Sequence, residues 1–281
     1  MTREINGQTR LVGVMGWPVE HTMSPHMHNA AFDELRMNCC YVPLAVKPEG
    51  LAAAVHGLHA LGFAGCNITV PLKHEAWTLA TGRSARAERA QAVNTLFFRG
   101  REDWFGDNTD GGGLVRDLER IFKTSLAGAR ICLLGAGGAG AGVLGALLEQ
   151  RPATLTVANR TRERARKLAA RHADLGRVDT CTPGEVAEGE PFDLVVNATS
   201  LGHTGNAAPV AASWLRPGGL CYDMNYGMAA APLQAACHAA GIRYSDGLGM
   251  LVEQAALSFR LWTGYEAETA TVLAELRKAT A

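Results

Sequence analysis

The chain has 281 residues, 47% of them hydrophobic, with 27 basic and 27 acidic side chains. That length suits one large domain or two ordinary ones, and the charge balance excludes a general affinity for nucleic acid or anionic membrane while leaving room for a local basic pocket. No apolar run approaches the roughly 18–20 residues of a membrane span, and no apolar leader opens the chain. The seven cysteines contain no CxxC pair and read as free thiols in a reducing cytoplasm. The nine histidines show no zinc spacing, so no metal is expected.

In chain order, residues 11–15 are predicted as a strand and 25–35 as a helix, with Ser24 as N-cap and Pro25 in the first helical position. Residues 40–46 form a strand. Residues 48–61 form a helix with apolar positions at Leu51, Val55, Leu58 and Leu61, ended by Gly62. Strands follow at 65–69 and 93–98, with a helix at 84–92 between them. This alternation predicts a mainly parallel sheet. Gly111, Gly112 and Gly113 open a helix to residue 122. A second series then begins at Arg130, with strands at 130–134, 154–158, 193–197, 220–223 and 242–244. Residues 250–281 read as two helices divided near Gly264, which could finish the second domain or return to the first.

The most specific motif is Gly135-Ala136-Gly137-Gly138-Ala139-Gly140, placed between a strand and a helix. In that context Gly135 allows the turn, Gly137 lets backbone approach a pyrophosphate, and Gly140 allows close helix–strand packing. The free N–H groups of the helix start favour the anion. About 20 residues further on, where a carboxylate would hold the ribose of NAD, stand Asn159, Arg160 and Thr161, with Arg164 beyond. A carboxylate would repel a 2′-phosphate; two arginines and a hydroxyl would bind it. The expected cofactor is NADP(H).

Further polar clusters lie at predicted strand ends. Thr22 and Ser24 offer two hydroxyls beside a helix start, suited to a carboxylate. Asn67 and Thr69 precede Lys73, which is expected in a loop past a strand end, where such sheets place chemistry. Asn94 and Asp110 border apolar segments, and Asp110 could be a helix N-cap. Asn197 to Gly202, Tyr222 to Tyr226 and Asp246 to Met250 follow strand ends in the second series, and Thr199 could contact the nicotinamide side. Clusters sharing one edge in both halves describe one cleft between two α/β domains.

Together these motifs resemble the shikimate dehydrogenase family. The resemblance rests on Ser24-Pro25, His28-Asn29, Asn67 to Lys73, Ala92 to Thr95, Gly106 to Gly111, the glycine turn, Asn159 to Thr161, Asn197 to Ser200, Tyr222 to Met224 and Asp246 to Gln254. It implies an N-terminal α/β substrate domain, 1–111, completed by C-terminal helices 248–281, and a Rossmann-like NADP-binding domain, 112–247. It implies Lys73 and Asp110 as the catalytic pair. Thr22 and Ser24 match the carboxylate site, with Tyr226 near it. Asn67, Thr69, Asn94 and Gln254 match the groups around the ring hydroxyls. Gly135 to Gly140, Asn159, Arg160, Thr161, Arg164, Thr199 and Gly247 match the cofactor site. Many family members carry serine where this chain has Thr22, whose methyl adds bulk beside the carboxylate.

The implied reaction is NADPH-dependent, reversible reduction of 3-dehydroshikimate to shikimate, with Lys73 as proton donor and Asp110 orienting it. Two other readings share the fold: a broader quinate/shikimate dehydrogenase, and a non-catalytic NADPH-binding regulator. The basic Arg160 and Arg164 count against NAD use, and Lys73, Asp110 and Gln254 count against a sensor. The expected partner is a small-molecule substrate, on a monomer or homodimer, with domain hinges at the glycine-rich 110–113 and 246–249.

Overall fold

A computed structural model describes residues 5–98, 100, 103–123 and 125–280. The chain divides into two compact units. One holds the residues up to Thr109 together with Val252–Glu275; the other holds Asp110–Leu251 and the residues from Leu276 onward.

The first unit contains β1 (Arg10–Gly16), α1 (Ser24–Glu34), β2 (Cys39–Ala45), α2 (Leu51–Ala60), β3 (Gly65–Ile68), α3 (Lys73–Leu79), β4 (Gly82–Arg83), α4 (Ala85–Ala90), β5 (Thr95–Phe98) and β6 (Trp104–Asp107). Its six strands lie in the order β2-β1-β3-β5-β6-β4. The apolar stripe of α2, Leu51, Val55 and Leu58, packs with Met15, Cys66 and Ile68 in one core. Val12 and Val14 pack instead with Phe32, Tyr41, Phe259 and Trp262 in another. A strand covered on both faces reads as a continuous apolar run, as β1 does.

The second unit contains α5 (Asp110–Phe122), β7 (Arg130–Leu134), α6 (Gly138–Glu149), β8 (Thr154–Ala158), α7 (Arg162–Ala170), β9 (Asp179–Cys181), β10 (Phe192–Asn197), β11 (Leu215–Asp223), α8 (Ala231–Ala239) and β12 (Arg243–Ser245). Its strand order is β12-β11-β10-β7-β8-β9, and every pairing is parallel. Taking β7 as first, this is the doubly wound dinucleotide-binding order, which reverses between β7 and β10. Gly111 shows how tightly the unit is built: a Cβ there would lie 2.7 Å from the Ala146 methyl and 2.9 Å from the Gly142 carbonyl oxygen. The chain closes with α9 (Leu248–Thr263) and α10 (Ala270–Thr280). From Val252 onward α9 belongs to the first unit, as does α10 up to Glu275.

The first sheet is mainly parallel, as expected, through β1/β2, β1/β3 and β4/β6, but β3/β5 and β5/β6 are antiparallel. The link between β5 and β6 is too short for the dozen or more residues of a parallel crossover. Three expectations need correction. Ser24 is not the N-cap of α1 but its first residue, because Met23 before it already has helical dihedrals (φ −90°, ψ −7°); the Thr22 hydroxyl accepts from the Ser24 N–H at 3.3 Å. Lys73 does not lie in a loop; it opens α3, whose single fully buried residue, Ala76, leaves no apolar period to detect. The strands β4, β6 and β9 went unanticipated, being short and bounded by or built from polar residues. Among the described residues, no helix is long and apolar enough to cross a membrane, and no group of three metal-ligating side chains is present.

Candidate active site

In the first unit, three segments converge on one amide, Asn67, near the end of β3. Its Oδ1 accepts from the Tyr41 phenol at 2.7 Å. Its Nδ2 faces the Asn94 carbonyl at 3.1 Å, the Thr95 hydroxyl at 3.2 Å and the Ser258 hydroxyl at 3.0 Å. The Asn94 carbonyl can only accept, so Nδ2 must face it and Oδ1 is left to the Tyr41 phenol, which fixes which way the amide points. Asn94 extends the network. Its Oδ1 accepts from the Thr109 N–H at 2.9 Å and the Thr95 hydroxyl at 2.8 Å, and its Nδ2 donates to Thr109 Oγ1 at 2.9 Å. Gln254 Oε1 lies 3.4 Å from both Asn94 Nδ2 and Thr109 Oγ1. Asn67, Asn94, Thr95, Thr109 and Ser258 are all buried. A buried network of this kind is rigid when every member is satisfied.

The turn that carries Thr109 is held by charge. Arg86 grips Asp107 with two parallel bonds, 2.7 and 2.6 Å, and Ser84 adds a third at 2.5 Å. Burial acts to raise the Asp107 pKa, but Arg86 and Ser84 together outweigh it and hold the carboxyl below its ordinary value. The result is a stable carboxylate that also accepts from the Asn108 N–H at 2.7 Å.

Lys73 is half-buried at the start of α3, and its carbonyl accepts from the Val93 N–H at 2.9 Å, just ahead of Asn94. Thr69, half-buried, donates its N–H to the Met15 carbonyl at 2.9 Å and so fixes the end of β3 against β1. Ser24 is buried beside the Tyr41 phenol. Thr22 is half-buried and uses its hydroxyl as an acceptor at the helix start. The fold therefore gathers Asn67, Asn94 and Gln254 into one network and links Ser24 to it through Tyr41. Lys73 and Thr69 are instead positioned by backbone bonds, and Thr22 by the start of α1.

In the second unit the glycine turn has the geometry its spacing implies. Gly135 has φ +113°, which L side chains rarely adopt, and a Cβ there would lie 3.1 Å from the Ala198 carbonyl. A Cβ at Gly140 would fall on the Gly135 carbonyl oxygen. Gly137 and Gly138 have nothing within 4 Å of a Cβ position, and Gly137, Gly138 and Ala139 are exposed at the start of α6. Open backbone at a helix N-terminus is what a pyrophosphate requires. Asn159 supports this turn: its Oδ1 accepts from the Ala136 N–H at 3.1 Å, and its Nδ2 donates to the Thr161 carbonyl at 2.8 Å. Arg160, Thr161 and Arg164 are exposed around the start of α7. The arginine between them is occupied, since Arg162 pairs with Glu185 at 2.6 Å. The residues present thus fit a dinucleotide bearing a 2′-phosphate.

At the ends of β10 and β11 a third cluster forms. Asn197 Oδ1 accepts from the Thr199 hydroxyl at 2.8 Å, and its Nδ2 donates to Asp223 at 2.9 Å. Asn225 Nδ2 bonds the Thr199 carbonyl at 3.0 Å and Asp223 at 2.8 Å. Burial raises the Asp223 pKa despite these donors. Gly247 donates to the Asn225 carbonyl at 2.9 Å, and a Cβ there would overlap the Met224 backbone. Burial also raises the pKa of half-buried Tyr226. Asp110 is the first residue of α5, where the helix dipole favours a carboxylate.

Tyr41 and Ser258 carry the first network but were not singled out from the sequence, whereas Thr109 lay within the Gly106 to Gly111 motif. Ser258 had a signal: Gln254, Ser258 and Trp262 recur every four residues and so share one helix face. Tyr41 had none, because its partner is distant in sequence.

An all-parallel doubly wound sheet with exposed arginines around the start of α7, together with a second α/β unit carrying an amide–hydroxyl network and a lysine opening α3, is the architecture of a nicotinamide-nucleotide-dependent dehydrogenase. Sequence comparison narrows the class. The shikimate dehydrogenase substrate binding domain matches residues 14–96, the shikimate/quinate 5-dehydrogenase family matches 117–203, and the shikimate 5′-dehydrogenase C-terminal domain matches 247–277. The NADP(+) shikimate dehydrogenase of Dechloromonas aromatica is 46% identical over 265 residues, covering 94% of this chain and 96% of that one. A shikimate dehydrogenase solved with NADP+ is 31% identical, with TM-score 0.87 over 99% of this chain and 98% of its own. The Thermus thermophilus enzyme, solved with NADP(H) and shikimate, is 31% identical, with TM-score 0.81 over 96% and 99%. The chain belongs to the shikimate dehydrogenase family.

Proposed function

We infer that this protein is an NADP-dependent shikimate dehydrogenase, reducing 3-dehydroshikimate to shikimate in aromatic amino acid and chorismate biosynthesis. The observation that carries this is 46% identity over 94% of the chain to an NADP(+) shikimate dehydrogenase. The free cysteines, six of the seven buried, suit a reducing cytoplasm, where we place the enzyme.

The proposed substrate domain is 1–111 with 248–281, and the proposed NADP domain is 112–247. The bound cofactor supplies a hydride to the ketone carbon. Lys73 carries the complementary work: its ammonium stabilises negative charge developing on the ketone oxygen and delivers the proton that completes the alcohol. Asp110 orients Lys73 and accepts from a neighbouring ring hydroxyl. Thr22, Ser24 and Tyr226 hold the substrate carboxylate. Asn67, Thr69, Asn94 and Gln254 surround the ring hydroxyls, and the rigidity of the Asn67–Asn94 network supports that role, since a fixed polar wall positions a substrate at little cost in entropy. Gly135 to Gly140 receive the pyrophosphate, Arg160, Thr161 and Arg164 the 2′-phosphate, and Thr199 and Gly247 the nicotinamide side.

Replacing Lys73 by Ala tests the assignment. Turnover should fall by about 10²–10⁴-fold, while NADPH binding, followed by quenching of protein fluorescence, stays unchanged. Near-normal turnover in that variant would remove Lys73 from the chemistry.

A further inference from the structure

We propose that Ser258 is a positioning residue that sets the affinity for the shikimate ring, a reading that rests on the function inferred above. Helix α9 presents Gln254, Ser258 and Trp262 at successive turns of one face. Trp262 anchors the face: its indole N–H donates to the Leu96 carbonyl at 3.0 Å, and Gly65 leaves the space through which the ring passes. One turn earlier the fully buried Ser258 hydroxyl enters the polar wall. It lies 3.0 Å from Asn67 Nδ2, 2.7 Å from Thr95 Oγ1 and 3.2 Å from Thr109 Oγ1, and it reaches back to the Gln254 carbonyl at 3.1 Å.

A hydroxyl has one proton and two lone pairs. With four neighbours, its proton must choose among acceptors while its lone pairs take donors. Asn67 Nδ2 can only donate, so it claims one lone pair. The proton and the other lone pair are left to Thr95, Thr109 and the Gln254 carbonyl. Ser258 is thus the junction between the Asn67 amide and Thr109, and Thr109 in turn contacts Asn94 and Gln254. Removing the hydroxyl orphans no group: Asn67 Nδ2 keeps the Asn94 carbonyl and Thr95, and Thr109 keeps Asn94. The fold should persist. What goes is the constraint that fixes the amides and hydroxyls relative to one another.

The test is Ser258→Ala, with Ser258→Thr restoring a hydroxyl. In steady state with NADPH, KM for 3-dehydroshikimate should rise about five- to tenfold in Ser258→Ala, the worth of one ordinary hydrogen bond, and recover in Ser258→Thr. KM for NADPH should not move. A merely structural serine would leave the two KM values unchanged or raise both together, and either result overturns the proposal. A second readout does not depend on turnover. The side-chain amide protons of Asn67, followed by NMR hydrogen exchange, should be protected in the parent and exchange at least tenfold faster in Ser258→Ala. Inactivity of the parent towards 3-dehydroshikimate would overturn the functional reading. The amide exchange would still decide Ser258: equal protection in parent and variant refutes its positioning role, and faster exchange upholds it.

Discussion

His28 makes the stability of the first unit depend on pH in a way that can be worked out in advance. The imidazole is buried flat against Tyr41, with ring centres 4.3 Å apart and planes 11° from parallel, and it is flanked by Trp262 at 5.3 Å and Phe259 at 6.3 Å. Among the described residues its Nε2 has no hydrogen-bond partner. Burial, opposed only in part by the Asn67 amide, lowers its pKa from 6.5 to about 3. Between those values the unfolded chain binds a proton that the folded chain does not. Stability from this group is therefore intact above the unfolded pKa and falls as pH drops through the window towards 3. From about pH 7 to about pH 5 the loss comes to roughly 2 kcal/mol. Replacing His28 by Phe keeps the ring stack and removes the titration, and a cavity of about 20 Å³ lined by Met27, Ala31, Val252 and Ala255 lies beside the ring. Urea unfolding of parent and variant at the two pH values measures the effect. The stability difference should move by about 2 kcal/mol in the variant's favour at the lower pH. A difference that is the same at both pH values would refute the buried, neutral imidazole.

Two further substitutions probe other parts of the molecule. Arg160 is exposed and makes no side-chain bond among the described residues, so Arg160→Ala should leave the fold intact. Loss of a charge-assisted bond worth about 1.5–3 kcal/mol should raise KM for NADPH by roughly 10–100-fold; an equal rise for NADH would refute the 2′-phosphate assignment. At Gly65 a Cβ would lie 2.5 Å from the Trp262 indole nitrogen and would also fall on the Leu96 carbonyl. Gly65→Ala should therefore cost about 1–3 kcal/mol in urea unfolding, and an unchanged midpoint would show that α9 is not packed as described.

The second unit was legible because its sequence is locally consistent. Short runs such as 131–134 and 154–158, set between helical patterns, read as strands, and Gly135 and Gly140 mark the turn by backbone needs that other residues do not meet. The first unit was less so. Its helix α2 showed a clear apolar stripe, whereas α3 buries only Ala76 fully, so Lys73 was expected in a loop. The antiparallel β5 and β6 pair through a link whose residues are largely polar or small, which hides the reversal from a pattern of alternating strands and helices. Ser24 was expected to cap α1, but which hydroxyl meets the helix N–H depends on backbone angles that residue type does not fix. The site divides the same way. Asn94 was visible as a polar residue bordering an apolar segment and Asn67 in a motif at a strand end, while Gln254 was legible only through the family resemblance. Tyr41 and Ser258 were not, because a buried tyrosine or serine looks like part of the core until its partner, 26 or 191 positions away, is known.

The central claim is the reaction. The purified protein, mixed with NADPH and 3-dehydroshikimate, should consume NADPH and form shikimate in equal amounts, with NADH far less effective. No NADPH consumption, or equal rates with NADH, would contradict the account.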